Sequence, residues 1–210
     1  DYEGNETPLL KVLHDNGINY IRIRIWNDPF NADRETYGGG GNDVSTGVEI
    51  AKEAAQYDMK VLLDFHYSDF WAEPAVQLVP KAWKKDVNNT EKMCSDVYDF
   101  TKESIQKFKD AGANIGMVQV GNEITNGLLG IYSNRDKGES FNVIWGDKKK
   151  STEVNKYLKA GIKAVREYTP QALVALHLET PNVWKYKTIM NTWKRDNVDY
   201  DVLGSSYYPF

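Results

Sequence analysis

The stretch Met117-Val118-Gln119-Val120-Gly121-Asn122-Glu123 runs from apolar residues straight into a carboxylate beside an amide, and Ile124-Thr125-Asn126-Gly127 follows at once. A buried strand that stops on a carboxylate is how a barrel enzyme presents a proton donor at the mouth of its site. Held there, Glu123 could act as a general acid, and Asn122 could donate its amide N–H to a substrate hydroxyl. The competing reading is a glutamate that starts a helical turn and pairs with free backbone N–H groups. A second cluster lies in Tyr20-Ile21-Arg22-Ile23-Arg24-Ile25-Trp26, where both arginines share one parity with the terminal tryptophan. An inward Arg keeps its charge and needs an anionic partner. For Arg24 that partner could be a catalytic carboxylate; for the deeper Arg22, an ion pair with Asp64 is the stronger reading. His66 ends a third run, Asp64-Phe65-His66-Tyr67-Ser68-Asp69-Phe70-Trp71, and His177 lies within Leu176-His177-Leu178. These histidines and Asp64 lack the His-x-His or His-Glu-x-x-His spacing of a metal site. Hydrogen bonding in or behind the site is their expected use, and neither a metal nor another cofactor is expected.

Those residues need elements to hold them. Residues 8–16, 44–57, 91–111, 152–168 and 182–196 read as helices, the third after a cap at Thr90. Residues 20–26, 60–67, 116–123, 174–179 and 201–207 read as strands. Strands alternating with helices predict an α/β fold with a parallel sheet. Side-chain parity separates an open sheet from a closed barrel. Helices cover both faces of a doubly wound sheet, so its strands are apolar on both parities. Here Arg22 and Arg24, Asp64 and His66, Gln119 and Glu123, His177, and Ser205 and Tyr207 each occupy one parity, with aliphatic residues on the other. That pattern predicts a (β/α)8 barrel with its site inside the upper end. An eight-stranded barrel takes about 250 residues. The expectation is therefore one catalytic barrel domain over residues 1–210, incomplete at both ends, with strands two to six visible and Glu123 ending strand four.

Composition excludes other classes. With 41% hydrophobic and 27% charged residues the chain is globular, and a net charge of −4 gives no footprint for nucleic acid. The Lys148-Lys149-Lys150 run is expected to be a solvated loop. Cys94 is the only cysteine, so no internal disulfide forms. No apolar run reaches membrane-spanning length, and Asp1-Tyr2-Glu3 is not a signal peptide. The 6 Trp and 13 Tyr include several in loop-rich stretches. Trp71, Trp83 and Trp145 could each be a sugar-stacking platform or a loop anchor. Gly38-Gly39-Gly40-Gly41-Asn42-Asp43 lacks the Lys-Ser/Thr of a phosphate loop and reads as a flexible loop over the cleft.

Taken in order, these motifs resemble glycoside hydrolase family 53, the endo-β-1,4-galactanases. The carriers are residues 20–29 (YIRIRIWNDP), 38–43, 64–74 (DFHYSDFWAEP), 80–83 (PKAW), 118–127 (VQVGNEITNG), Leu176-His177 and 205–210 (SSYYPF), which together span nearly the whole chain. Asn-Glu at a strand end marks a whole clan of glycosidases; the ordered set is specific to the galactanases. The resemblance implies that Glu123 is the acid/base and that Asn122 binds the sugar 2-hydroxyl. It places Arg24, with Arg22 the alternative, and Tyr207 near the nucleophile, and it puts His66 and His177 in the lining of the site. Asp64, Trp26 and Trp71 complete the expected substrate-binding set. The expected partner is galactan polysaccharide or its oligosaccharides, met outside the cell or at its surface.

The chain departs from the family in one respect. The family nucleophile is a Glu at the end of strand seven, whereas the strands here stop at six and Glu179 ends strand five. The chain alone is therefore expected to be inactive. Two rivals stay open: a related β-glycanase acting on mannan or cellulose, and a non-catalytic galactan-binding fragment. A metabolic barrel binding a phosphorylated molecule is disfavoured by the loop tryptophans.

Overall fold

The computed structural model of the protein describes residues 4–209; Asp1-Tyr2-Glu3 and Phe210, the last residue of the final motif, lie outside the described residues. In chain order the elements are α1 (Leu9–Asp15), β1 (Tyr20–Ile25), α2 (Val44–Ala55), β2 (Lys60–Phe65), α3 (Thr90–Asp110), β3 (Ile115–Val120), β4 (Gly127–Leu128), β5 (Ile131–Tyr132), α4 (Asn142–Trp145), α5 (Lys148–Tyr168), β6 (Leu173–Glu179), α6 (Val183–Arg195) and β7 (Val202–Ser206). A single 3₁₀ turn, Lys81–Asp86, lies between β2 and α3.

Helix starts follow side-chain chemistry. Asp43, Asn89, Asp147 and Asn182 each accept a backbone N–H from the first turn of α2, α3, α5 and α6. Two expectations are corrected here. The cap of α3 is Asn89, which accepts from Lys92 N at 3.1 Å, and Thr90 is already inside the helix. The three lysines are not a loop: with Asp147 as cap they form the first turn of α5, because Lys is a good helix former once a cap has satisfied the free amides.

The five long strands form one parallel sheet in the order β1-β2-β3-β6-β7, while β4 and β5 make a small separate hairpin. Each long strand pairs with the next long strand along the chain and the order never reverses. A doubly wound sheet reverses at a switch point; a barrel does not. The register puts Arg24, Asp64 and Gln119 side by side, and His177 beside Gly204. The opposite parity carries Val61, Leu63, Phe65, Val118, Val120, Val174, Leu176 and Leu178, all fully buried. Burying such a side chain contributes about 1.5–3 kcal/mol, so this parity anchors the sheet against its helices. The expected division into an aliphatic outer face and a polar inner face therefore holds across β1, β2, β3 and β6, as in part of a (β/α)8 barrel.

The last strand corrects that expectation. Ser205 and Tyr207 were expected inside, but Ser205 Oγ meets Tyr186 Oη of α6 at 2.7 Å, on the helix side. Ser206, in register with Glu179, takes the inner parity.

Candidate active site

Glu123 sits just past β3 in the left-handed region, at φ 47° and ψ 48°. For a residue with a Cβ this conformation costs about 1–2 kcal/mol, so its surroundings must hold it. Gln77 Nε2 donates to the Asn122 carbonyl at 2.9 Å, and Glu123 N donates to His177 Nδ1 at 3.2 Å. The turn that follows is fixed by Trp145 Nε1, which donates to Thr125 O at 2.7 Å, and by Glu179 N, which donates to Thr125 Oγ1 at 2.9 Å. The strand ends of β2 and β6 carry matching left-handed residues, Tyr67 and Thr180. Each strand thus turns sharply at the same level and leaves its last polar side chain facing inward.

Beneath Glu123 lies a buried polar network. Asp64, fully buried, receives Arg22 at 2.9 Å and His66 Nε2 at 3.2 Å on Oδ2, and Gln119 Nε2 at 2.5 Å on Oδ1. Arg22 also donates to Asn122 Oδ1 at 2.8 Å, and Asn122 Nδ2 donates to Ala72 O at 2.8 Å. The network therefore clamps Asn122 on both sides and delivers Glu123 next to it. Arg22 takes Asp64 as its anionic partner, as the sequence predicts. Arg24 makes no ion pair among the described residues and stacks its guanidinium 4.4 Å over the Trp71 ring.

Above the network opens a cleft of about 800 Å³ whose walls include Arg24, Trp71, Glu73, Asn122, Glu123, His177, Ser206 and Tyr208. The three loop tryptophans now separate. Trp71 is 40% exposed on the cleft, while Trp83 and Trp145 are buried anchors. Four members of the expected substrate-binding set are placed differently. Asp64 has no exposure and serves as the acceptor of the network beneath the cleft. Trp26 is fully buried beneath Phe70 and Trp71, and so does not face the cleft. His66 is buried with both ring nitrogens engaged, Nε2 on Asp64 and Nδ1 accepting from Ala72 N at 3.0 Å, so it supports the site from behind. Tyr207 lies beyond β7 on the outward parity and is 69% exposed, leaving Ser206 and Tyr208 at the cleft.

The glycine loop also differs from expectation. A Cβ on Gly39 would come within 2.7 Å of Trp26 and 2.8 Å of Phe70, so the backbone packs directly on those rings. Trp26 N donates to Asn42 O at 2.7 Å, and Asn42 Nδ2 returns to Gly39 O at 2.8 Å. The loop is a clasp over Trp26. A second clasp joins the loops after β1 and β2: Asp69 accepts from Asp28 N at 3.1 Å and Lys81 N at 2.7 Å, and burial pushes its carboxyl above the usual range.

Sequence reasoning passed over Ser206, Glu73, Gln77 and Tyr208. Gly204 was the available signal for Ser206. A Cβ there would lie 3.3 Å from His177 Cδ2, so a small residue faces the histidine and the next inward position is Ser206.

Burial, and then the Arg22 charge, push the His177 pKa down to about 4, so its imidazole is neutral at neutral pH. A depressed histidine stabilises the fold fully above its unfolded value near 6.5, and that contribution is lost as pH falls through the folded value near 4. Unfolding free energy should fall by on the order of 3 kcal/mol more across that window than in His177→Gln. Parallel slopes for the two proteins in denaturant titrations between pH 4 and 7 would disprove this.

Comparisons with known proteins identify the family and the fold. The pattern of glycosyl hydrolase family 53 matches residues 1–210. The chain is 43% identical to an endo-beta-1,4-galactanase of Bacillus subtilis (strain 168), covering 99% of this chain and 44% of that protein. It is 30% identical to an arabinogalactan endo-beta-1,4-galactanase of Humicola insolens, covering 99% and 57%. Among solved structures, the GH53 catalytic domain of Ignisphaera aggregans superposes with a TM-score of 0.86 at 34% identity, covering 99% of this chain and 53% of that one. The chain spans about half the length of the curated relatives it matches. A strand-end Asn-Glu pair over a buried Arg-Asp network, a sheet wound in barrel order and a sequence match along the whole length lead to one assignment: the chain belongs to glycosyl hydrolase family 53.

Proposed function

We propose that the protein containing this chain is an endo-acting glycosidase that cuts β-1,4-galactosidic linkages in galactan or arabinogalactan, the side chains of pectin. The observation that carries the reading is Glu123, held in a left-handed turn beside Asn122 on the wall of an open cleft. The names of the relatives, endo-beta-1,4-galactanase and arabinogalactan endo-beta-1,4-galactanase, supply the substrate class. An open cleft suits a cut within a polymer, and the exposed Trp71 ring offers a flat apolar face to a sugar.

In this reading the mechanism is retaining. Glu123 gives its proton to the glycosidic oxygen while a second carboxylate, supplied by a strand outside this chain, attacks the anomeric carbon from a position about 5–5.5 Å away. Glu123 then takes a proton from the water that releases the glycosyl intermediate. Asn122 binds the 2-hydroxyl of the sugar being cut, and Arg24 faces the nucleophile. A polymeric substrate too large to cross a membrane places the enzyme outside the cell or on its surface. Among the described residues no helix is long and apolar enough to cross a membrane.

The test is product analysis with the full-length protein. It should release galacto-oligosaccharides of mixed length from potato galactan and leave mannan and cellulose intact. Preferential cutting of mannan would move the substrate to a related polymer, and binding of galactan without turnover would make the protein a lectin-like binder.

A further inference from the structure

We propose that Ser206 is a positioning residue for the Glu123 carboxyl, holding it through a hydrogen-bonded triangle with His177 that suits both protonation states of an acid/base. This inference rests on Glu123 having the role proposed above. Ser206 Oγ lies 2.5 Å from Glu123 Oε1 and 3.0 Å from His177 Nε2. The other ring nitrogen, Nδ1, lies 3.2 Å from Glu123 N and 2.9 Å from Asn122 Oδ1. His177 therefore contacts Glu123 twice, directly at its backbone and through Ser206 at its side chain.

A hydroxyl donates once and accepts from others, and a neutral imidazole donates from one nitrogen and accepts at the other. These rules leave two self-consistent arrangements. When Glu123 is ionised, Ser206 O–H donates to Oε1, His177 Nε2–H donates to Ser206 Oγ, and Nδ1 accepts the Glu123 N–H. When Glu123 is protonated, its own O–H donates to Ser206 Oγ, Ser206 O–H turns to His177 Nε2, and Nδ1–H donates to Asn122 Oδ1. The extra proton comes from solvent in the cleft. At the Glu123 side chain no group is left unpaired in either state, and the ring stays neutral in both; on its far side Nδ1 exchanges one contact for the other, pairing with the Glu123 N–H in the first state and with Asn122 Oδ1 in the second. His177 is suited to this because burial and Arg22 disfavour its charged form.

The fold builds the triangle deliberately close. Glu179 and Ser206 are register partners, as are His177 and Gly204. The absence of a side chain at Gly204 lets the imidazole pack close against β7, where a Cβ would come within 3.3 Å of His177 Cδ2, and Ser206 meets its Nε2. Other charged or titratable groups around the triangle are Arg22 and Arg24 from β1, Asp64 from β2 with His66 just past it, Glu73 from the following loop, and Tyr208 beyond β7. None of these is changed by substituting Ser206.

The test follows the His177 ring, by ¹⁵N NMR of the full-length protein labelled at histidine, with the resonances assigned by their loss in His177→Gln. In the wild type the neutral ring should change tautomer, Nε2–H to Nδ1–H, as Glu123 goes from ionised to protonated. In Ser206→Ala, which cuts the link between ring and carboxyl, the ring should keep one tautomer throughout, and Ser206→Thr, which restores the hydroxyl, should bring the change back. If the protein hydrolyses galactan, Ser206→Ala should lower kcat about tenfold with KM unchanged, and Ser206→Thr should recover most of it. A tautomer change that persists in Ser206→Ala, or that fails to return in Ser206→Thr, overturns the proposal. Lack of galactan hydrolysis by the wild type refutes the proposed substrate while the ring tautomer still decides the role of Ser206.

Discussion

Glu123→Gln is expected to lower galactan turnover by the full-length protein by about 10²–10⁴-fold, the usual range for a positioned acid/base. The amide is nearly the same size as the carboxyl, and Ser206 O–H can still donate to its oxygen. The left-handed backbone at Glu123 is held by Gln77 and His177 rather than by its side chain. The substitution therefore removes the proton and little else, so the fold and substrate affinity should persist.

Leaving-group chemistry separates this from general damage. An aryl galactoside whose phenol departs without protonation should lose little in its first step, because that step needs only the nucleophile. Its second step still lacks the base, so the variant should show a burst followed by slow turnover. Azide, which needs no deprotonation, should replace water and restore the second step with formation of a β-galactosyl azide. Full activity of Glu123→Gln on galactan would end the acid/base reading.

Much of the site was legible because a strand has an integer period. Alternation of Arg22 and Arg24 with three isoleucines, and of Asp64 with Leu63 and Phe65, survives any uncertainty about where the strands end. The family motifs lie on those strand ends, so their order could be read before the fold. Parity failed where it had nothing to read. In Val202–Ser206 the inner position beside His177 is Gly204, and hydroxyl-bearing residues follow on both parities. Only the register with β6 assigns Ser206 inward. The tryptophans failed for another reason. Trp71 and Trp83 both lie in the connection between β2 and α3, and what buries Trp83 is Tyr67 and Phe100, the latter from a helix that begins beyond it in sequence. The same holds for Trp26, which a strand pattern places at the inner end but which Phe70 and the glycine loop then cover.

The buried carboxylate beneath the site should be as costly to lose for stability as Glu123 is for activity. Asp64 has no exposure, and three donors converge on it: Arg22 and His66 on Oδ2, Gln119 on Oδ1. Burying an ion costs several kcal/mol, which those donors offset only while all are aimed at it. In Asp64→Asn one carboxylate oxygen becomes an NH2 group. Whichever way the amide turns, a donor faces either the Arg22–His66 pair or Gln119. Arg22 can swing toward water, since 44% of its side chain is exposed, but His66 and Gln119 are buried and cannot. The expected loss is about 3 kcal/mol, at the lower end of the range for breaking a buried pair because one partner escapes. It should appear as a lower denaturation midpoint with an unchanged slope. Asp64→Leu should be no milder, because it leaves the His66 donor with no acceptor. Catalysis should suffer beyond stability, measured well below the unfolding transition. Arg22, freed from Asp64, no longer steadies Asn122 Oδ1, so the residue expected to grip the sugar 2-hydroxyl loses its orientation. That contact strengthens in the transition state, so kcat should fall more than KM rises. A midpoint within experimental error of wild type would mean that Arg22, His66 and Gln119 find other partners, and that Asp64 does not organise the site.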